Sequence, residues 1–146
     1  MAHVVYTIGH SNRSLQGLFD IIRRYNIQVI VDVRRFPTSR VVPHFRRDVL
    51  EGEASRRGLE YLWLGDLLGG YRSSGYREYM RTNNFSKGLN KLIEIAKLKT
   101  TVIMCSEKLW FKCHRRFIAD KLVENGFRVI HIADVEKTYE HKVKHS

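Results

Sequence analysis

The feature that most constrains the fold of this chain is a series of five short apolar segments, separated by stretches with helical periodicity. The apolar segments are rich in β-branched and aromatic residues, which favour β-strands. They are apolar at nearly every position, as expected for strands of a parallel sheet that helices cover on both faces. The predicted strands comprise residues 4–8, 28–33, 59–64, 101–105 and 128–132.

The segments between the predicted strands repeat apolar residues at the spacing of amphipathic helices, as Leu15, Leu18 and Ile22 do in the first of them. Residues 65–75 contain four glycines and two serines and are predicted to be flexible. The charged residues from about 136 onward are predicted to form a fraying tail. Helices are predicted at about residues 15–26, 46–57, 85–96 and 114–125.

The length and composition fit one globular unit. The chain has 146 residues without a repeat or linker, so residues 1–146 are predicted to form a single domain. Hydrophobic residues make up 43% and charged residues 28%, which excludes a disordered or fibrous chain. The predicted fold class is a three-layer α/β domain, with a mainly parallel sheet of about five strands flanked by helices.

The N-terminus and the cysteine content predict the compartment. The first residues lack the basic start, long apolar stretch and cleavage site of a signal peptide, so they are interpreted as the first strand. No apolar run approaches the ~18 residues of a membrane-spanning helix. The chain contains two cysteines, too few for a disulfide scaffold. These features predict a cytoplasmic protein with free thiols and no membrane partner.

The chain is strongly basic, with a net charge of +11 from 26 lysine and arginine residues against 15 acidic residues. Such a charge attracts polyanions, most often nucleic acid. Arginines cluster in residues 34–47 without an acidic residue between them, whereas every lysine follows Ser86. Because arginine binds phosphate or carboxylate groups through paired hydrogen bonds, this stretch favours such a ligand. The alternative is a solvated basic surface that keeps the protein soluble.

Polar residues follow three of the predicted strands, at the point where each strand ends. In an open parallel sheet these carboxyl ends meet at one edge, which is where such sheets bind ligands. Acid, base, thiol and guanidinium groups together are what an active site needs. The residues expected at or beside this edge are Gly9, His10, Ser11, Asn12, Asp32, Arg34, Ser39, Arg40, Cys105, Glu107, Cys113, His114 and Arg115.

Cys113 is a candidate for a reactive thiol, because it directly precedes His114 and Arg115 at the start of a predicted helix. The helix N-terminus and the basic neighbours favour the thiolate. Cys105 ends a buried strand and is either a second candidate or a small core residue. The spacing differs from that of cysteine phosphatases and sulfurtransferases, since the first arginine after Cys105 comes ten residues later. It also differs from that of zinc ribbons, so no metal site is predicted.

Two other positions allow two interpretations each. The turn at residues 9–12 either binds an anion through backbone N–H groups, or Ser11 or Asn12 simply caps the following helix. Asp32 ends an apolar strand and needs a partner there, which Arg34 or Arg115 can supply. Asp32 is therefore either a catalytic group or one half of a structural ion pair.

Several short motifs, spread over nearly the whole chain, occur in a specific combination. They lie at residues 7–11, 32–34, 37–40, 43–45, 67–72, 79–80, 104–107 and 113–115, followed by Leu122, Gly126 and residues 129–132. In this combination the chain resembles the domain-of-unknown-function-488 family of small prokaryotic proteins. Ser106 replaces an alanine usual in that family, and Trp110 replaces a frequent proline. The resemblance implies an α/β fold and does not supply a reaction.

The favoured functional hypothesis is an enzyme that acts on a phosphate-bearing or nucleotide-like substrate at the carboxyl edge of the sheet. The glycine-rich segment would close over the substrate and bring in Tyr71 and Arg72. Three arginines would hold the anion, namely Arg34, Arg40 and Arg115. Asp32 or Glu107 would act as general base, His114 or His10 would move protons, and Cys113 or Cys105 would be the nucleophile or redox centre.

The alternative hypothesis is a nucleic-acid-binding module without catalysis. It is motivated by the net charge and by aromatic residues, such as Tyr71 and Trp110, that could stack on bases. The sequence contains no recognised RNA- or DNA-binding signature. The enzyme is favoured because arginine, acid and thiol groups together exceed what attraction to phosphate requires. The sequence identifies neither a cofactor nor an oligomeric state.

Overall fold

The computed structural model of the protein describes residues 3–37 and 42–143, in an alternation of strands and helices. Two of the expected site residues, Ser39 and Arg40, lie outside the described residues. The strands are β1 (Val4–Gly9), β2 (Val29–Asp32), β3 (Glu60–Trp63), β4 (Thr101–Cys105), β5 (Arg128–Asp134) and β6 (Lys137–Glu140). The helices are α1 (Leu15–Arg24), α2 (Arg47–Arg56), α3 (Gly65–Leu68), α4 (Tyr76–Tyr79), α5 (Asn83–Leu98) and α6 (Arg115–Glu124), with short 3₁₀ turns at Pro43–Phe45 and Trp110–Lys112.

The strands form one sheet in the order β3-β2-β4-β1-β5-β6. The first five strands are parallel, as predicted, and β6 pairs with β5 in the antiparallel direction. The prediction of a fraying tail is therefore wrong for Lys137–Glu140. All four residues of β6 are exposed and polar or aromatic, so this edge strand carries no apolar pattern that would reveal it in the sequence.

The helices cover both faces of the sheet. The crossovers from β1 to β2 and from β2 to β3 move along the sheet toward its β3 edge and place α1 and α2 on one face. The later crossovers move toward the β6 edge and place α5 and α6 on the other face, as right-handed connections require. Each face has its own apolar core, with Leu18 and Leu50 on the first and Leu92 and Leu122 on the second. The predicted three-layer α/β architecture is confirmed.

The glycine-rich segment after β3 is more ordered in its structure than predicted. Its first residues form α3, so the expectation of flexibility is wrong there. A Cβ atom on Gly65 would lie 1.8 Å from the carbonyl oxygen of Arg34, and one on Gly69 would lie 2.3 Å from that of Gly65. These glycines therefore permit close backbone packing instead of providing freedom of movement.

A chain of polar side chains links β1 and β5 to α6. Asp120 accepts a hydrogen bond from His141 Nε2 at 2.6 Å, and His141 Nδ1 lies 2.9 Å from His131 Nε2. His131 Nδ1 in turn lies 2.6 Å from Thr7 Oγ1. With His141 donating to Asp120, His131 and Thr7 can each donate in the same direction along the chain. Burial, followed by repulsion from His141 and Arg115, lowers the pKa of His131 to about 3.

His131 should make the protein sensitive to mild acid. Its pKa is lower in the folded than in the unfolded state, so protons bind the unfolded chain first as the pH falls below about 6.5. We expect the free energy of unfolding to fall between pH 6.5 and about 3, with His131 contributing up to about 1.4 kcal/mol per pH unit. Urea titrations at several pH values across this range measure the free energy of unfolding. Its fall with decreasing pH should be shallower in His131→Gln than in the unaltered protein, but unchanged in the exposed control His3→Gln. The same pH dependence in His131→Gln and His3→Gln would contradict this assignment.

Candidate functional site

A cleft of about 1020 Å³ opens at the carboxyl edge of the sheet, where β1, β2 and β4 end. Many of the expected site residues meet there, although they come from four separate parts of the chain. The cleft is lined by His10, Ser11, Asn12, Arg34, Tyr71, Cys105, Glu107, Cys113 and His114 from the predicted set. Gly9, Asp32, Arg72 and Arg115 do not line it.

The turn after β1 is held tightly against the segment after β4. His10 N donates to Cys105 O at 2.8 Å, and Ser11 N donates to Ser106 O at 2.9 Å. A Cβ atom on Gly9 would lie 1.8 Å from Glu107 O, so this position requires glycine. The interpretation of Ser11 or Asn12 as the cap of α1 is wrong, because Ser14 accepts the capping hydrogen bond from Gly17 N.

Cys113 sits at the junction between the 3₁₀ turn at Trp110–Lys112 and α6. Its Sγ atom lies 3.0 Å from Cys105 Sγ, 3.5 Å from His114 Nδ1 and 3.5 Å from the backbone nitrogen of Arg115. The first turn of α6 contains no acidic residue, so no side-chain carboxylate there offsets the positive end of the helix dipole. This environment favours a negative charge on sulfur.

The imidazole of His114 is oriented by the backbone of the second strand. Its Nε2 atom lies 3.0 Å from the carbonyl oxygen of Val33, which can only accept a hydrogen bond. Nε2 therefore carries the proton, and in the neutral ring Nδ1 has a lone pair directed at Cys113 Sγ. Tyr76 packs against the ring at a centroid distance of 5.3 Å, so the side chain of His114 is held in this orientation.

The two sulfur atoms have opposite acidities. The pKa of Cys113 is lowered, first by the hydrogen bond with Cys105 and then by His114 and the Arg115 N–H group, against the effect of burial. The pKa of Cys105 is raised well above its usual value, first by its contact with Cys113 and then by burial. These directions favour a thiolate on Cys113 and a protonated Cys105 that donates toward it.

Gly70 offers a way to displace the imidazole without removing it. A Cβ atom at this position would lie 3.1 Å from His114 Nδ1, and Tyr76 restricts movement of the ring away from it. Gly70→Ala should therefore disturb the contact between Nδ1 and sulfur and slow alkylation of Cys113 by iodoacetamide several-fold. Gly52→Ala is the matched control, since a Cβ atom there meets nothing within 4 Å. An unchanged rate in Gly70→Ala would show that Nδ1 does not activate the thiol.

Asp32 and Arg34 form a buried ion pair beneath the cleft. The Asp32 carboxylate, with 0% exposure, accepts from Arg34 Nε at 2.9 Å, from Arg34 Nη2 at 2.7 Å and from the Tyr61 hydroxyl. Arg34 Nη1 donates to Phe45 O at 2.7 Å and lies 3.2 Å from His10 Nε2. The donors of Arg34 are thus occupied by the protein itself, and its guanidinium joins the ends of β1 and β2 to the 3₁₀ turn at Pro43–Phe45.

Arg115 lies below the cleft and lines a second cavity, of about 630 Å³, together with residues such as Lys108 and His131. The side chain is 1% exposed. Its Nη2 atom donates to the carbonyl oxygens of Glu107 and Lys108 at 3.0 and 3.3 Å, which holds the segment after β4 in place. Within residues 3–37 and 42–143, Nε and Nη1 have no hydrogen-bond partner. A buried cation without a carboxylate partner favours negative charge nearby. Arg115 therefore acts to lower the pKa of Cys105, against the larger effects of Cys113 and burial that raise it.

The remaining expected residues lie at the rim or outside the cleft. Tyr71 is 85% exposed at the rim, and its carbonyl oxygen accepts from Arg35 Nη1 at 2.5 Å. Glu107 is exposed at the rim, and its carboxylate accepts from Leu109 N at 3.1 Å. Arg72 bonds to Gly69 O at 3.0 Å and to Asp66 O at 2.7 Å, so its guanidinium supports the glycine-rich segment.

Several residues that line the cleft were not predicted from the sequence. Lys112 and Arg116 flank Cys113 in the sequence, so a search for cations within three positions of that cysteine would have found both. Other members could not be found in this way, since loops far apart in the chain bring them to the cleft. The residues not expected there are Phe36, Val42, Gly70, Tyr76, Phe111, Lys112, Arg116 and Phe117.

Among the described residues, no helix is both long and apolar enough to cross a lipid bilayer.

Comparisons with known proteins identify the family. A search of curated proteins found no match to the chain. A family model described as "Domain of unknown function DUF488" matches residues 14–122, a span that includes β2 to β4 and both cysteines. The chain therefore belongs to the DUF488 family.

Proposed function

We propose that the protein is an enzyme that uses the Cys113 thiolate as a nucleophile toward a phosphate-bearing substrate bound in the cleft. One observation carries this proposal: the carbonyl oxygen of Val33 fixes the proton of His114 on Nε2, which leaves Nδ1 free to take the proton of Cys113, 3.5 Å away. A thiol paired with an oriented imidazole is the arrangement that cysteine-dependent enzymes need.

The proposed reaction has two steps. The sulfur attacks the phosphorus atom, the bond from phosphorus to the leaving oxygen breaks, and the imidazolium of His114 donates its Nδ1 proton to that oxygen. His114 then removes a proton from water, which attacks phosphorus and releases the thiolate and phosphate. Asp32 and Arg34 act as positioning residues in this scheme, because their charged groups bond to each other and the Arg34 guanidinium also holds Phe45 O.

The cations and aromatic rings of the cleft support an anionic, nucleotide-like substrate. Lys112 and Arg116 are exposed beside Cys113, and they can contact phosphate oxygens as charged donors. Phe36 is 63% exposed and packs against Tyr71 at a centroid distance of 6.2 Å. Together with the exposed ring of Phe111, these side chains offer flat apolar surfaces to a base.

Protection of the thiol by ligands tests the binding part of this proposal. Inorganic phosphate and adenosine monophosphate should each slow the alkylation of Cys113 in a saturable manner. Arg116→Gln should weaken this protection by about tenfold, since one charged hydrogen bond is lost. The control Lys91→Gln, on the exposed face of α5, should leave it unchanged. Absence of protection by both ligands would overturn the substrate assignment.

Hydrolysis of para-nitrophenyl phosphate tests the chemical part. Turnover should be abolished by Cys113→Ser and strongly reduced by His114→Gln, with the fold unchanged. The alternative, a nucleic-acid-binding module, leads to a different result. It requires binding of a single-stranded oligonucleotide that weakens steeply with salt and is unaffected by Cys113→Ser, together with no turnover. That combination of results would replace the enzyme by the binding module.

A further inference from the structure

The two cysteines of the chain lie next to each other at the base of the cleft. Cys105 ends β4 and Cys113 precedes α6, eight positions later, and their Sγ atoms are 3.0 Å apart. Their accessibilities differ, since Cys105 is 1% exposed and Cys113 is half-buried and open to the cleft. In the proposed function Cys105 only donates a hydrogen bond to Cys113, and its own sulfur takes no part in the reaction.

We propose that Cys105 and Cys113 form a redox pair, which a hydroperoxide converts into an intramolecular disulfide. Cys113 is the residue that the peroxide oxidises, and Cys105 is the residue that resolves the product. This inference rests on the nucleophilic Cys113 of the proposed function, but it does not depend on a phosphate-bearing substrate.

The first step oxidises Cys113. Its thiolate attacks the terminal oxygen of the hydroperoxide, so a sulfur–oxygen bond forms and the oxygen–oxygen bond breaks. The departing alkoxide, or hydroxide in the case of hydrogen peroxide, takes the proton that His114 holds on Nδ1. The products are a sulfenic acid on Cys113 and an alcohol or water.

The second step consumes the thiol of Cys105. Its sulfur attacks the sulfenic sulfur of Cys113, a sulfur–sulfur bond forms, and the sulfur–oxygen bond breaks. The departing oxygen leaves as water and takes up the proton of Cys105. In sum, two thiols and one hydroperoxide give one disulfide, one alcohol and one water.

The surroundings of the two sulfur atoms suit this division of roles. Cys113 faces the cleft and has a proton acceptor in His114, whereas Cys105 is 1% exposed and its Sγ lies 3.0 Å from Cys113 Sγ and 3.6 Å from Glu107 O. The lowered pKa of Cys113 agrees, because the residue that the peroxide oxidises must be a thiolate, and Cys105 then attacks as its proton passes to the departing oxygen.

The two sulfur atoms lie 3.0 Å apart, close to bonding distance. A disulfide requires a sulfur–sulfur distance of about 2.05 Å, so the two atoms must approach by about 1 Å. Cys113 has an extended backbone, with φ −129° and ψ 153°, between a short 3₁₀ turn and α6. A small rotation of its side chain moves the sulfur without disturbing either helix. Closure removes the nucleophile, so oxidation should switch off the proposed activity and reduction should restore it.

Mass spectrometry of the intact protein after brief exposure to hydrogen peroxide tests the pair. Because the chain contains two cysteines and three methionines, peptide fragments are analysed as well, to assign any added oxygen to a cysteine or a methionine. The unaltered protein should lose the mass of two hydrogen atoms, and dithiothreitol should reverse the change completely. Cys105→Ser should lose this product entirely and accumulate sulfenic or sulfinic acid on Cys113. Cys113→Ser should show neither product.

The outcomes separate this inference from the proposed function. If Cys113 in the unaltered protein gains oxygen atoms without forming a disulfide, the redox pair is wrong and the nucleophile stands. If Cys113 reacts with neither peroxide nor iodoacetamide, both proposals fail. Equal disulfide yield in Cys105→Ser, as a dimer between two chains, would also overturn the role of Cys105. Urea titration of both variants verifies that they are folded.

Discussion

Replacing Asp32 with asparagine should lower the free energy of unfolding by about 3–5 kcal/mol, the usual cost of breaking a buried ion pair from one side. The substitution removes the negative charge that Arg34 needs, while Arg34 stays 7% exposed and retains its contact with Phe45. A charge left unpaired in this environment is far more costly than the loss of one hydrogen bond. Urea titration at neutral pH measures the change.

Two comparisons make the test of the ion pair specific. Glu124→Gln removes an acid whose partner, Lys121, is partly exposed, and it should have little effect, since such surface pairs contribute little. The double variant Asp32→Leu with Arg34→Met should be less destabilised than the sum of its single substitutions, because no unpaired charge remains. An effect of Asp32→Asn no larger than that of Glu124→Gln would contradict the account of this pair.

Replacing His114 with glutamine should raise the pKa of Cys113 toward the ordinary value of a thiol. At pH 6, a thiol with a pKa near 8.5 is less than one-hundredth ionised, so alkylation by iodoacetamide should slow by about 100-fold. Glutamine can still donate to the Val33 carbonyl, so the fold should be kept. His3→Gln, at an exposed position, is the control. A loss of less than threefold would show that Cys105 and the helix N-terminus ionise Cys113 without His114.

The sequence predicts much of this fold because apolar patterns are strong where strands are buried. The strands β1 to β5 have this pattern, and the position of Cys113 at a helix N-terminus follows from the periodicity of the residues after it. The strand β6 lies at the edge and is exposed along its length. Its pairing depends on contacts with β5 that no local pattern encodes.

The candidate site is harder to predict from the sequence than the fold, because it depends on the directions in which side chains point. Arg34 and Arg115 are both arginines near a strand end, yet Arg34 is tied to Asp32, and Arg115 points away from the cleft. The sequence left Asp32 open between a catalytic group and an ion pair, and the contacts of Arg34 support the ion pair. The proximity of Cys105 to Cys113 depends on the path of the segment between them, which Arg115 fixes through two backbone carbonyls.

The most direct test of the account is the pH profile of Cys113 alkylation in the unaltered protein, with the modified residue identified by peptide mass spectrometry. The account predicts that Cys113 remains reactive well below neutral pH, with a midpoint several pH units below about 8.5, while Cys105 is not alkylated. A midpoint near 8.5, or preferential alkylation of Cys105, would contradict the central claim that Cys113 is the thiolate of this site.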